Sequence, residues 1–231
     1  MSVPWPAALL LPVLLGVLVG WLSGPVLRRL PEPQVGQRGV SADELATKLP
    51  YAALASPRFR SGCAALAAAA GAVVVVAVEP TAWSGWLVLA TVGVLAATID
   101  GVTTWLPARI TRTGVLLAVL LAPVGLLLGN GVTDLLRVLV GGAAAAALFW
   151  VFWRVSRGQL AYGDVRLAPL LGATGGSVSW SMVLLVLLLG TVLGALHGVA
   201  RGLARRTGPF PYAPGLVAGA FLAPLVAAFA S

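Results

Sequence analysis

The stretch Asp164-Val-Arg-Leu-Ala-Pro-Leu-Leu-Gly-Ala-Thr-Gly-Gly176 is apolar, short and opens on an acid. About 13 residues of helix cover about 20 Å, against roughly 30 Å of bilayer hydrocarbon. Length alone argues against a membrane crossing here, and the charges around the stretch argue for one. Longer apolar stretches lie at about 6–27, 61–78, 84–99, 114–129, 133–153, 178–199 and 212–230. If the first enters from outside, then Arg28, Arg29, Arg38, Lys48, Arg58 and Arg60 fall inside, followed by Arg109 and Arg112, then Arg154 and Arg157. A direct crossing at 178–199 would then leave Arg201, Arg205 and Arg206 outside, against the tendency of basic loops to stay inside. Counting 164–176 as a crossing, shielded at its ends by neighbouring helices, puts all three inside. The fold expected is all-α: a polytopic transmembrane bundle of about eight crossings with a short sixth. Arg137 remains outside, with Asp134 one turn before it as a partner.

The composition agrees. Of the 231 residues 59% are hydrophobic and only 10% charged, where soluble domains carry about 25% charged residues. The net charge of +8 reads as a topology signal on loops, so nucleic acid is not an expected partner. The single cysteine, Cys63, excludes an internal disulfide and a cysteine-rich zinc site. It opens an apolar span, where it packs as a small hydrophobe. The first apolar run has no basic segment before it and Arg28 and Arg29 after it, as an uncleaved first span would. Two parts are expected: 1–60, the first span with a short loop, and 61–231, the main bundle. Trp5, Trp21, Trp83, Trp86 and Trp105 fall near span ends, where an aromatic belt sits. His197 reads as a helix-packing residue and Tyr162 as an interfacial anchor.

Two acids stand out. Asp100 closes the run that begins at Leu87, and Asp164 opens the short one. The third span runs inward and the sixth outward, so both carboxyls fall at the cytoplasmic boundary. Acids at a membrane boundary are costly, and they are functional or paired. A structural role would pair them with Arg109 and Arg166. A chemical role would use them together: two nearby carboxyls share one proton, so one acts as base and the other as acid. A small transporter with acidic sites is disfavoured, because such sites lie at the midplane.

Three segments carry more. The first is Asp100-Gly-Val-Thr-Thr-Trp-Leu-Pro-Ala-Arg-Ile-Thr111; the second is Gly158-Gln-Leu-Ala-Tyr-Gly-Asp164 with the run after it; the third is Pro209-Phe-Pro-Tyr-Ala-Pro-Gly-Leu-Val-Ala-Gly-Ala220. Together they resemble the prepilin peptidases, the bacterial branch of the Gly-x-Gly-Asp membrane aspartyl proteases. Asp100, Leu106, Pro107, Ile110 and Thr111 match the first family motif. Gly163, Asp164, Val165, Arg166, Leu167, Leu171 and Gly172 match the second. Pro211, Tyr212, Pro214, Gly219 and Ala220 match the third. Gly20, Arg29, Leu30 and Pro31 resemble a further motif at the first span, with Trp21 and Gly24 where the family has Ser and Asn. Ala161 stands where the family has the first Gly of Gly-x-Gly-Asp, and a φ above zero there would strain it.

The resemblance implies a membrane aspartic endopeptidase with Asp100 and Asp164 as catalytic residues. Pro107, Thr111, Gly163, Arg166, Pro211 and Pro214 would support the motifs. The implied substrate is a prepilin-like protein with a basic leader and a hydrophobic helix, cut at the cytoplasmic face of the bacterial plasma membrane. Long members carry paired Cys-x-x-Cys motifs in the loop after the first span, linked to zinc binding and N-methylation. This loop has no cysteine, so neither a metal site nor a cofactor is carried over. The alternative is an inactive homologue that serves as an assembly partner in a pilus or secretion system.

Overall fold

A computed structural model describes residues 5–230 apart from 35–44, 47, 158–159, 206–207 and 209. Arg38, Gly158, Gln159, Arg206 and Pro209 therefore lie outside the described residues. The described chain is helical throughout. The helices are α1 (Trp5–Arg28), α2 (Pro57–Ala77), α3 (Pro80–Thr103), α4 (Ala108–Leu121), α5 (Val132–Val155), α6 (Tyr162–Gly176), α7 (Trp180–Leu203) and α8 (Ala213–Ala230). Pro123 breaks α4, which resumes as one turn at Val124–Leu127.

Six of these helices are long and apolar enough to cross a membrane, with α4 counted to Leu127. The other two are shorter: α8 has 18 residues and α6 has 15. At 1.5 Å per residue α6 is about 22 Å long. Its surroundings explain how a helix of that length sits in the bundle. Asp164, Val165, Leu167, Ala168 and every residue from Leu170 to Gly176 are buried. Protein shields its ends where lipid would not.

Small residues make this burial possible. A Cβ at Gly172 would collide with the Gly141 carbonyl, and one at Gly142 would come within 3.1 Å of the Pro169 carbonyl. Backbones meet where side chains are missing, which is how helices associate without a hydrophobic drive between them. The same device joins α7 to α8, where Gly190 faces Gly219 and Gly194 faces Gly215. It also joins α1 to α2: Gly16 and Gly20 lie against Ala64, and the Arg60 Nε–H donates to the Gly20 carbonyl at 2.9 Å.

The third span is the other interior helix. Its apolar window is 67% buried, against 28–33% for the other five spans. Within it Leu89–Gly93 forms a π-helical turn, in which the Val94 amide reaches back five residues to the Leu89 carbonyl. Such a turn inserts a residue into a helix and re-aims the side chains beyond it. Lipid-facing helices show the opposite pattern, with Val13, Leu14, Val17, Leu184 and Leu188 all exposed.

Several expectations meet the structure here. Arg137 pairs with Asp134 at 2.9 Å, and its Nε–H caps the C-terminus of α6 by donating to the Gly176 carbonyl at 2.6 Å. Cys63 is fully buried. Trp86 departs from the belt reading: it is 0% exposed and packs edge-on against Phe221 at 6.0 Å. Position along a span does not reveal which face of the helix a ring occupies.

Candidate active site

The two interior helices carry the two aspartates. Asp100 lies inside α3, because the helix continues through the polar residues to Thr103. The expectation that it closes its span is corrected by one helical turn. Hydropathy ends the span at the first acid, but hydrogen bonding carries the helix on. Thr104 ends it in the left-handed region at φ 56°, its amide donating to the Asp100 carbonyl at 2.7 Å. The Thr103 hydroxyl locks the turn, donating to Ile99 and accepting from the Trp105 amide at 3.2 Å. The α4 helix therefore starts at Ala108, six residues before its apolar run, with Pro107 as its N-terminal boundary.

Asp164 lies in the first turn of α6. A carboxylate there faces the positive end of the helix dipole. Ala161 precedes the helix at φ −68°, ψ 138°, and it is solvent-exposed. Its methyl group meets no backbone strain, so the departure from the family glycine carries no conformational cost. Gly163 is the constrained position, and steric rather than torsional limits act on it. A Cβ there would lie 2.8 Å from the Leu106 Cβ. The glycine lets the second motif seat itself on the loop of the first.

The third motif closes the site. The amide of Ala213, at the N-terminus of α8, donates to Asp100 Oδ2 at 3.1 Å. The first amides of a helix have no partner inside it, and Pro214 adds no donor. Asp100 thus caps α8 from 113 residues away in sequence. Pro214 sits beside Gly101, and Pro211 is buried next to this cap. The Tyr212 hydroxyl donates to the Thr191 carbonyl at 3.1 Å, fixing α8 on α7.

Asp100 is 5% exposed and Asp164 2%. The two carboxyls lie within electrostatic reach of each other. Among the described residues neither forms an ion pair with Arg109 or Arg166. Arg109 is exposed, and Arg166 lies over the Tyr162 ring at 4.8 Å. Tyr162 in turn packs edge-on against Trp153 at 5.3 Å. Thr111 is 1% exposed and bonds locally, its hydroxyl donating to Ala108 at 3.2 Å. It supports the start of α4 and not the carboxyls themselves. His197 is partly buried near Phe210, with ring centroids 6.2 Å apart.

Residues 87–199 match the protein-family model described as the type IV leader peptidase family. This segment, just under half of the chain, is similar to the type IV leader peptidase family. No curated protein and no solved structure matches the chain. The leader-peptidase segment holds both aspartates and runs from α3 into α7. The α8 amide that holds Asp100 comes from outside it. Sequence reading missed that amide, although a Pro two residues into an apolar helix signals free donors at its start. It also missed Leu106 as the neighbour that makes Gly163 necessary, and no local signal marks that contact.

A buried carboxyl pair in electrostatic reach of one another, one member held by a backbone amide, has the groups that proton transfer at a peptide bond uses. The surrounding protein excludes bulk water, which strengthens each polar contact with a bound chain.

Proposed function

We propose that this protein is an aspartic endopeptidase of the membrane that removes the leader from prepilin-like precursors at the cytoplasmic face. The observation that carries the reading is the burial of Asp100 and Asp164, within electrostatic reach of each other, on the two least exposed helices. In this reading the ionised carboxylate takes a proton from water as its oxygen attacks the scissile carbonyl carbon. The protonated carboxyl passes its proton to the carbonyl oxygen, giving a tetrahedral diol. Collapse breaks the C–N bond, and the leaving amine receives the proton. Asp100, held by the Ala213 amide, is the more fixed of the pair. The substrate's hydrophobic helix supplies docking, since basic loops repel a basic leader. The departure at Ala161 is the best argument for the assembly-partner alternative, and an ordinary φ at that residue weakens it.

The deciding experiment is cleavage of co-expressed prepilin-like precursors, read by mass spectrometry of the mature N-terminus. The expected product is a trimmed, unmethylated N-terminus, because the loop after α1 has no cysteine. Intact leader on every precursor tested would overturn the peptidase reading. A monomethylated N-terminus dependent on this protein alone would overturn the second half.

Sidedness has its own measurement. In a Cys63→Ala background, Arg112→Cys and Ala204→Cys are expected to resist an impermeant thiol reagent in intact cells and to react after lysis. Labelling of Ala204→Cys from outside would remove the sixth crossing from the topology.

A further inference from the structure

The Ala213 amide that holds the Asp100 carboxyl follows Tyr212 directly, and Tyr212 is fixed on another helix. Thr191, Gly194 and Gly198 lie three and four residues apart, so they share one face of α7. The residues before α8 dock on that face. The Tyr212 hydroxyl donates to the Thr191 carbonyl, and a Cβ at Gly194 would lie 2.7 Å from the ring atoms Cδ2 and Cζ. One turn further on, a Cβ at Gly198 would lie 3.1 Å from the Phe210 ring. That ring packs edge-on against Tyr212, with centroids 6.0 Å apart. Gly194 is buried, and its missing side chain is the space that the Tyr212 ring fills.

This seat is joined to Asp100 through a stiff stretch of backbone. Pro211 and Pro214 fix their own φ angles and restrict the residues before them. Tyr212 and Ala213, between the prolines, therefore have little freedom to move separately. The Tyr212 carbonyl accepts from the Leu216 amide at 3.2 Å, which makes Tyr212 the residue that opens α8. Residues at that position are usually short and polar, because their own side chain caps the free amides of the helix. Here the tyrosine hydroxyl is spent on Thr191, and the capping oxygen comes from Asp100 at 3.1 Å. The ring that stands in place of a capping side chain holds the amide for a carboxyl of another helix.

We propose that Tyr212 is a positioning residue for the aspartate pair: its ring, seated on Gly194, sets the Ala213 amide against Asp100 and so holds that carboxyl in place for the reaction. This rests on the peptidase reading of Asp100 and Asp164. Tyr212 and Ala213 lie beyond the leader-peptidase segment, while Thr191 and Gly194 lie within it, so the seat ties the two parts of the chain together at the site. A donor aimed in advance costs no reorganisation at the moment of reaction.

Two measurements on the full chain test it. The first is steady-state cleavage of a leader-bearing precursor. Tyr212→Ala and Gly194→Ala are each expected to lower kcat by roughly ten- to a hundredfold, as a misplaced catalytic group does. KM should change little, since the substrate's hydrophobic helix docks without Asp100. The double variant should be no slower than Tyr212→Ala, because without the ring the methyl added at Gly194 has nothing to displace. Tyr212→Phe keeps the ring and should stay within a few fold of wild type. If Tyr212→Ala does not accumulate, Tyr212→Leu, which keeps apolar bulk without the flat ring, takes its place. The second measurement needs no catalysis. Pro211 and Pro214 carry no amide hydrogen, so hydrogen exchange in this stretch is that of Tyr212 and Ala213. Exchange there should be several times faster in Tyr212→Ala, Gly194→Ala and Asp100→Ala, and unchanged in Tyr212→Phe. Unchanged exchange in Tyr212→Ala and Gly194→Ala overturns the proposal, as does a loss carried by KM alone. A Tyr212→Phe as slow as Tyr212→Ala would overturn the role of the ring. Faster exchange in the variants of a protein whose wild type cleaves no precursor would leave the seat standing and defeat the peptidase reading instead.

Discussion

Asp100→Asn and Asp164→Asn are each expected to abolish leader cleavage, and the double variant to be no worse than either alone. Residues that act as one unit lose nearly everything at the first removal, often by several orders of magnitude in kcat. Asparagine is the informative substitution because of what Asp100 also does. Its Oδ2 accepts from the Ala213 amide and caps α8. Asn keeps a carbonyl oxygen for that bond, whereas Ala leaves the amide unmet at a cost of about 1 kcal/mol. The Asn variants should therefore accumulate in the membrane with unfolding temperatures close to wild type. Asp100→Ala should lose activity and some stability together. Full precursor processing by either Asn variant would refute the pair as the catalytic unit. The same assay on Arg166→Gln and Arg109→Gln is a control, since neither arginine pairs with the carboxyls.

Gly163→Ala carries the second large effect, on the order of a hundredfold loss of cleavage rate if the carboxyl moves by about 1 Å. The added Cβ would lie 2.8 Å from the Leu106 Cβ. That atom is attached directly to the backbone, so no rotamer change relieves the contact. The α6 start or the Leu106–Pro107 loop must shift, and Asp164 follows Gly163 immediately. Ala161→Gly is the matched comparison. Ala161 is exposed with an ordinary φ, so removing its methyl should leave the rate within a few fold. Rates for both variants and wild type on one precursor decide it. Equal activity in Gly163→Ala would show that the close seat on Leu106 does not position Asp164. A gain of activity in Ala161→Gly would show a constraint at that residue that its backbone angles do not reveal.

Helix class, the order of the apolar helices and the short α6 were all legible in the chain. They follow from the transfer free energy of each segment and the sidedness of Arg and Lys, which are sums over local residues. The pairing of Asp134 with Arg137 was legible too, because helix geometry fixes neighbours three residues apart. Motif spacing pointed to Asp100 and Asp164. Only the tertiary structure decided what surrounds them. Hydropathy ended α3 at its first acid, but backbone hydrogen bonds carry the helix past it. The Ala213 amide on Asp100, Leu106 beside Gly163 and the Phe221 ring against Trp86 are contacts between distant segments. Nothing local encodes them, since each depends on which faces of two helices meet. The same holds for Ala161 and Gly163: a glycine motif does not say which member meets a neighbouring side chain, and packing assigns that to Gly163.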